Sequence, residues 1–511
     1  MSTRPADDRN AGGLPALGWR PVLGLAVCYW AVLAMLSDRY GFHRDELYFI
    51  EAGRHPAWSY PDQPPLVPLL ARASTAVFGE TITAMRFPAA LLASAGVVVA
   101  ALTARELGGD RRAQVWTAAA YAVSPFIAGT GHTLFTVSVD LLACTALVWL
   151  SVRWARTRAP GAFAAAAAVT AIALQTKYLV AVLLFALVAG MLIAGPREVP
   201  RPAALWAGAA VALTAAPALL WQHAHGWPQA RMVSAIASGG DFSGRPGLLP
   251  HQVILAGLLT SPLWVYGLVR LFRSPLLRPY RFLGWAFLIL NAVFLVTGGK
   301  PYYLAAMWTV LWAAGSAELP GRVPWSARAA PPVFGAAGVL TAVMVLPVFP
   351  VEWLAGSPQH DNSAITETVG WPELVAEVAR VRDTLPPAER PLATIVTANY
   401  GEAGAIDLYG GRHGLPSAHS GHNGYRYFRT PTSDGPTIFV GLDDAHGETY
   451  LRRFWGEVTA AGRIGNAAGV VNQERGRRVW ICREPLASWP RLWPRLARLG
   501  MSAPARASRG V

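Results

Sequence analysis

Apolar residues in this chain come in long unbroken runs rather than at the spacings of a soluble amphipathic fold. Runs long enough to cross a bilayer, roughly 17–25 residues, fall near 20–36, 87–104, 113–128, 135–152, 161–176, 178–194, 203–221, 252–269, 282–297, 303–318 and 331–350. They predict a polytopic α-helical membrane domain of about eleven transmembrane helices over residues 1–350. Past residue 350 the pattern changes. Strand-like runs at Leu392–Thr397, Thr437–Leu442 and Arg478–Cys482 alternate with helical stretches such as Trp371–Leu385 and Tyr450–Trp455. That alternation predicts a soluble α/β domain over 351–511. Near its end, Trp489, Leu492, Trp493, Leu496 and Leu499 share one helical face, expected to pack on its own domain rather than on the bilayer.

Composition agrees with the membrane expectation. Of 511 residues, 53% are hydrophobic and 14% charged, against about 25% charged in a soluble protein. The net charge of +14 would suit a nucleic-acid partner, but its distribution does not. Residues 1–350 carry 26 basic against 14 acidic side chains, while 351–511 are nearly balanced at 18 against 16. With the N-terminus inside, the cytoplasmic loops collect Arg4 and Arg9, Arg105, Arg111 and Arg112, Arg153, Arg156 and Arg158, Arg197, and Arg270 to Arg281. This is the positive-inside pattern of a multi-pass protein of the cytoplasmic membrane. It places a first loop at 37–86, a loop around 222–251 and the whole of 351–511 on the outer side. In the first loop, the stretch from Pro64 to Phe78 is expected to lie along the membrane surface as a short helix. Three scattered cysteines exclude a disulfide framework. No Walker loop, HExxH or GxGxxG is present, so no nucleotide cofactor is expected.

A few polar residues fall where a membrane protein has little use for them structurally. The chain has two lysines, Lys177 and Lys300, each at the predicted outer end of a helix and each followed by tyrosine. A compact ammonium there suits a phosphate oxygen, although snorkelling would also explain either lysine alone. The first external loop opens with His43-Arg44-Asp45-Glu46. Adjacent carboxylates on a helix point to different partners, so one can serve as a base while the other braces a neighbour. Asp62 follows on a proline-stiffened turn. Asp140 is the one charge in the apolar stretch from Thr133 to Leu150, a functional candidate or a helix cap. His223 and His225 could contribute to a divalent-cation site or be surface residues.

Taken together, these blocks resemble the polytopic C-type glycosyltransferases, in particular the bacterial branch of family 39. That branch is related to protein O-mannosyltransferases and lipid A aminoarabinose transferases. Asp45-Glu46-Leu47-Tyr48-Phe49 is similar to the family's acidic motif, and Tyr60-Pro61-Asp62-Gln63-Pro64-Pro65-Leu66 to its proline-rich partner. Lys177-Tyr178, His225-Gly226-Trp227-Pro228 and Gly299-Lys300-Pro301-Tyr302-Tyr303 resemble later blocks. Asn399-Tyr400-Gly401-Glu402-Ala403-Gly404-Ala405 and Ser420-Gly421-His422-Asn423 resemble external segments of actinobacterial members. Gln63 departs from the aminoarabinose transferases, which carry lysine at that point.

The resemblance implies transfer of a hexose or pentose from a polyprenyl-phosphate donor to a lipid, glycan, protein or metabolite acceptor outside the membrane. A departing lipid phosphate is a stable anion, so the site needs cations for it and a base for the incoming hydroxyl. Asp45 is expected as that base, for in-line attack by the hydroxyl with inversion, with Glu46 and Asp140 as further catalytic candidates. Lys177, Lys300 and Arg44 are expected at the phosphate. Tyr60, Gln63, Tyr302, His422 and Asn423 are expected at the substrates, and Asp62 with His225 at a divalent cation (zinc, manganese or magnesium). A transporter or flippase would also carry isolated intramembrane charges, but these polar residues gather at one face rather than at mid-depth.

Overall fold

The computed structural model describes residues 13–196, 201–232 and 245–500. Arg4, Arg9 and Arg197, part of the loop around 222–251 and the end of the 351–511 segment lie outside these described residues.

Ten helices come first: α1 (Trp19–Met35), α2 (Arg44–Arg54), α3 (Leu66–Phe78), α4 (Ile82–Glu106), α5 (Arg111–Ala122), α6 (Pro125–His132), α7 (Thr136–Thr157), α8 (Pro160–Leu174), α9 (Val180–Ala194) and α10 (Arg201–Ala224). Helices Leu248–Ala256, Ser261–Arg273, Arg281–Thr297, Ala305–Arg322 and Ser326–Val345 complete the bundle. Each apolar run of the sequence contains helix, but not always as one span. Among the described residues, five helices are long and apolar enough to cross a membrane, or six if one bent pair counts as a single span. The run at 113–128 breaks between α5 and α6 at Ser124-Pro125; proline lacks the N–H that a continuing helix needs and starts a new one instead. The run at 252–269 bends by 112° between Ala256 and Ser261, where Gly257 takes a φ of +109°. The stretch after Pro64 does form a short apolar helix, α3.

The second half of the bundle is held by close backbone approach. A Cβ on Gly267 would meet the Leu311 carbonyl oxygen at 1.8 Å, and one on Gly315 would meet that of Leu263 at 2.3 Å. Reciprocal glycines let these two helices touch without intervening side chains.

The C-terminal part folds around a five-stranded sheet in the order β2-β1-β3-β5-β4. The strands are β1 (Thr394–Thr397), β2 (His419–Ser420), β3 (Thr437–Leu442), β4 (Trp455–Arg463) and β5 (Arg478–Pro485). β1 pairs in parallel with β2 and β3, while β5 runs antiparallel between β3 and β4. The helix expected at Tyr450–Trp455 instead spans Gly447–Leu451, and Trp455 already begins β4. The expected tail helix is two short turns, Trp489–Leu492 and Trp493–Leu496, each carrying a proline at its second residue. Trp489, Leu492, Trp493 and Leu496 are all buried in the core with Phe439 and Trp455, so this tail packs on its own domain.

α2 is not a free loop element. Leu47 and Tyr48 share one buried cluster with Trp371, Ile395 and Ala403, so the loop of residues 37–86 and the sheet-bearing segment form a single core. Glu51, buried, pairs with Arg429, which also holds Asp407 at 3.0 Å.

Candidate active site

α2 starts with a capping box. The His43 ring accepts from the Asp45 N–H, and Glu46 reaches back to the His43 N–H at 2.8 Å. Burial pushes His43 down to about 4, so the ring is neutral and can accept. This geometry sends the two adjacent carboxylates apart. Glu46 is fully buried and receives Arg86 Nε at 3.1 Å and the Leu134 N–H at 3.1 Å. Arg86 also donates to Ser37 O and Gly41 O. Glu46 is therefore a brace tying α2 to α4 and to the start of α7, not a group exposed to substrate. Asp45 points the other way, its side chain 29% exposed, and accepts a 2.7 Å hydrogen bond from the Tyr400 hydroxyl.

Asp140 lies one turn into α7 with 6% of its surface exposed. It does not cap the helix; the cap bond comes from Ser138, which accepts from the Phe135 N–H. Asp140 instead lines a cavity with Cys144, Lys177, Tyr302 and Tyr303. Lys177, between α8 and α9, places its Nζ 4.8 Å from the Tyr303 ring centre and 5.5 Å from that of Tyr302. Tyr302 is stacked on Phe126 at 4.9 Å. An ammonium over two aromatic faces is held by their quadrupoles while it keeps its N–H donors for a ligand. The two lysines part company here, because Lys300 is not among the residues lining this cavity.

Other expected contacts resolve differently. Arg44 is bound to Glu367 at 3.0 Å and to Gln473 at 2.5 Å, so its charge serves the C-terminal segment rather than a phosphate. Tyr60 is buried, and its hydroxyl donates to Ala52 O and approaches His55 O, which closes the proline turn. Gln222 donates to Ser59 Oγ and Tyr60 O at 2.9 Å, anchoring that turn to α10. Gln63 is 98% buried with neither side-chain atom hydrogen-bonded among the described residues, leaving a polar amide available to a ligand. Asn423, at a φ of +49°, reaches Asp62 at 3.5 Å and accepts from the Gly500 N–H. His422 is buried against the Tyr400 ring, and its Nε2 bonds the Gly500 carbonyl, so it supports Tyr400 rather than a substrate.

Asp62 accepts from the Tyr48 hydroxyl at 2.8 Å. Burial outweighs that bond and the one from Asn423 and pushes Asp62 up to about 7. The metal expectation fares poorly. His225 spends Nδ1 on the Trp221 carbonyl at 2.8 Å and stacks on its ring. Among the described residues, no three His, Cys, Asp or Glu side chains gather closely enough to hold an ion. The expected pair Asp62 and His225 therefore has no third such side chain beside it among the described residues.

Tyr400, Tyr303, Cys144 and Arg86 are additions that residue types alone did not single out. Tyr400 had a local signal, because Asn399 and Glu402 form a capping box that fixes the helix start and hence the direction of the tyrosine.

This arrangement shares the fold of ArnT, and part of the chain matches a mannosyltransferase family model. Residues 62–221 match the family model described as dolichyl-phosphate-mannose-protein mannosyltransferase. ArnT from Cupriavidus metallidurans in the apo state superposes with a TM-score of 0.60 at 14% identity, over 91% of this chain and 98% of that one. The same protein bound to undecaprenyl phosphate gives 0.58 at 15% identity with the same coverage. The Archaeoglobus fulgidus oligosaccharyltransferase in complex with zinc and sulfate is more distant, at 0.45 and 15% identity over 78% and 62% of the two chains. No curated protein matches by sequence.

Proposed function

We propose that the protein is a membrane glycosyltransferase. It moves a hexose or pentose from a polyprenyl-phosphate donor to an acceptor at the outer face of the cytoplasmic membrane. In this proposal residues 1–350 form the transmembrane catalytic domain and 351–511 stand outside. The observation that carries it is the Lys177 cavity, in which an ammonium, a buried carboxylate and two tyrosines converge. The shared fold with an ArnT whose structure holds undecaprenyl phosphate supports the donor class.

The chemistry follows from the residues. Lys177 neutralises the lipid phosphate as the bond between the sugar's anomeric carbon and the phosphate oxygen breaks. Asp45 takes the proton of the acceptor hydroxyl as its oxygen bonds that carbon from the opposite side, which inverts the centre. Asp140 orients Lys177, and the Tyr400 hydroxyl orients Asp45. Arg44 and Glu46 act through their ion pairs with Glu367 and Arg86.

The test is transfer of a labelled sugar from polyprenyl phosphate by the purified protein, compared with Lys177→Met and Asp45→Asn. Transfer by the wild type and its loss in both variants supports the proposal. Movement of labelled lipid between vesicle leaflets without any transfer would replace it with a flippase.

A further inference from the structure

A second cavity lies in the C-terminal segment and shares no lining residue with the Lys177 cavity. Its position follows from topology. β1 and β3 are parallel neighbours in the sheet. From β1 the chain passes through helix Tyr400–Tyr409 to β2 on one side, and from β3 through helix Gly447–Leu451 to β4 on the other. Connections that leave adjacent strand ends in opposite directions open a crevice there, the usual ligand position of an open parallel sheet. Ala398 and Asn399 line it from the end of β1, and Leu442 and Asp443 from the end of β3. Its volume, counted to the mouth, is about 610 Å³.

The lining is polar and its charges are already balanced. Arg477 donates to Asp443 Oδ2 at 3.2 Å, and Asn399 Nδ2 donates to Glu474 Oε1 at 3.0 Å. Arg498 donates to the Ala398 carbonyl. A phosphate would face Asp443 and Glu474, and a metal cation would face Arg477 and Arg498, so neither fits. An extended peptide needs a free strand edge or apolar pockets, and this crevice lies at strand ends with polar walls. Tyr450 is 8% exposed and lines the crevice.

We propose that this crevice is a saccharide-binding site, taking a neutral, hydroxyl-rich ring. Carboxylate and guanidinium side by side at Asp443 and Arg477 present an acceptor and donors to neighbouring hydroxyls, and the Tyr450 hydroxyl supplies a further donor. The site is tied to the candidate base. Asn399 directly precedes Tyr400, which holds Asp45, and Gln473 on the crevice wall accepts from Arg44.

The experiment reads binding rather than transfer, so its outcome is independent of the catalytic proposal. Methyl mannoside, methyl arabinoside and a mannose disaccharide are titrated into the purified full chain in nanodiscs, by calorimetry and saturation-transfer NMR. Inorganic phosphate and magnesium chloride serve as charged controls. Saccharide binding is expected to weaken about 2- to 10-fold in Tyr450→Phe, the worth of one neutral hydrogen bond. Thermal unfolding of that variant beside the wild type checks that folding is preserved. Asp443→Asn should weaken it as well, and Lys177→Met should bind like the wild type. The proposal is overturned by absent saccharide binding at tens of millimolar, or by equal binding in both crevice variants. Loss of binding in Lys177→Met, or a crevice-dependent response to phosphate or magnesium alone, overturns it equally.

Discussion

The Tyr400 hydroxyl donates to Asp45 Oδ1 across 2.7 Å, joining residues 355 positions apart in the chain. The candidate base on α2 is thus held by the segment that carries the sheet. Tyr400→Phe removes that bond while keeping the ring between Tyr48 and His422. A hydrogen bond to a charged group is worth about 1.5–3 kcal/mol, so turnover should fall roughly 10- to 100-fold. Donor affinity should stay unchanged. Kinetics of the purified variant at saturating donor check this, and an equal loss of donor binding would count against a positioning role.

Asp45 and Glu46 should separate cleanly. Asp45→Asn should leave the fold intact and lower turnover by roughly 10²–10⁴, the contribution of a positioned base. Glu46→Gln should act on stability instead. It leaves Arg86, 1% exposed, without its counter-charge, and breaking a buried pair costs about 3–5 kcal/mol. Thermal unfolding of both variants beside their turnover numbers decides between the roles.

Lys177 gives a test of phosphate contact against simple snorkelling. The ammonium sits between two tyrosine rings, where a broader, planar guanidinium does not fit equally well. Lys177→Arg should therefore impair transfer with little change in thermal stability. Lys177→Met should weaken donor binding by about 1.5–3 kcal/mol. Lys300→Arg should be close to wild type, because Lys300 does not line that cavity. Donor titrations of the three variants provide the comparison.

Asp62 predicts a pH dependence. Its carboxyl is raised from 3.8 to about 7 by burial, so between those values the folded state keeps a proton that the unfolded chain has lost. The stability linked to this proton is complete below about pH 4 and is lost as pH rises through 7, amounting to about 4 kcal/mol. Asp62→Asn should be relatively more stable than wild type at pH 8 than at pH 4. Unfolding temperatures of the two proteins across that range measure the difference, and parallel curves would refute it.

Sequence alone located the apolar helices, the strands β1, β3 and β5, and the cavity residues Asp140, Lys177 and Tyr302. Each of these announces itself locally. Long apolar runs can only be satisfied by lipid or protein, and an isolated charge inside one stands out against the cost of burying it. Hydropathy could not show that two of the runs are broken, since a bend at Ser124-Pro125 or Gly257 leaves average composition unchanged. Nor could it say which of Asp45 and Glu46 faces inward. That was decided by Arg86, 40 positions away from Glu46, and by Tyr400, far beyond it. Arg44 likewise looked like a phosphate ligand until Glu367 and Gln473 came within reach. The chemical type of a side chain is written in the sequence, but its partner is chosen by packing between segments that are remote along the chain. Only the tertiary structure brings those segments together, and so only it divides bracing residues from reacting ones.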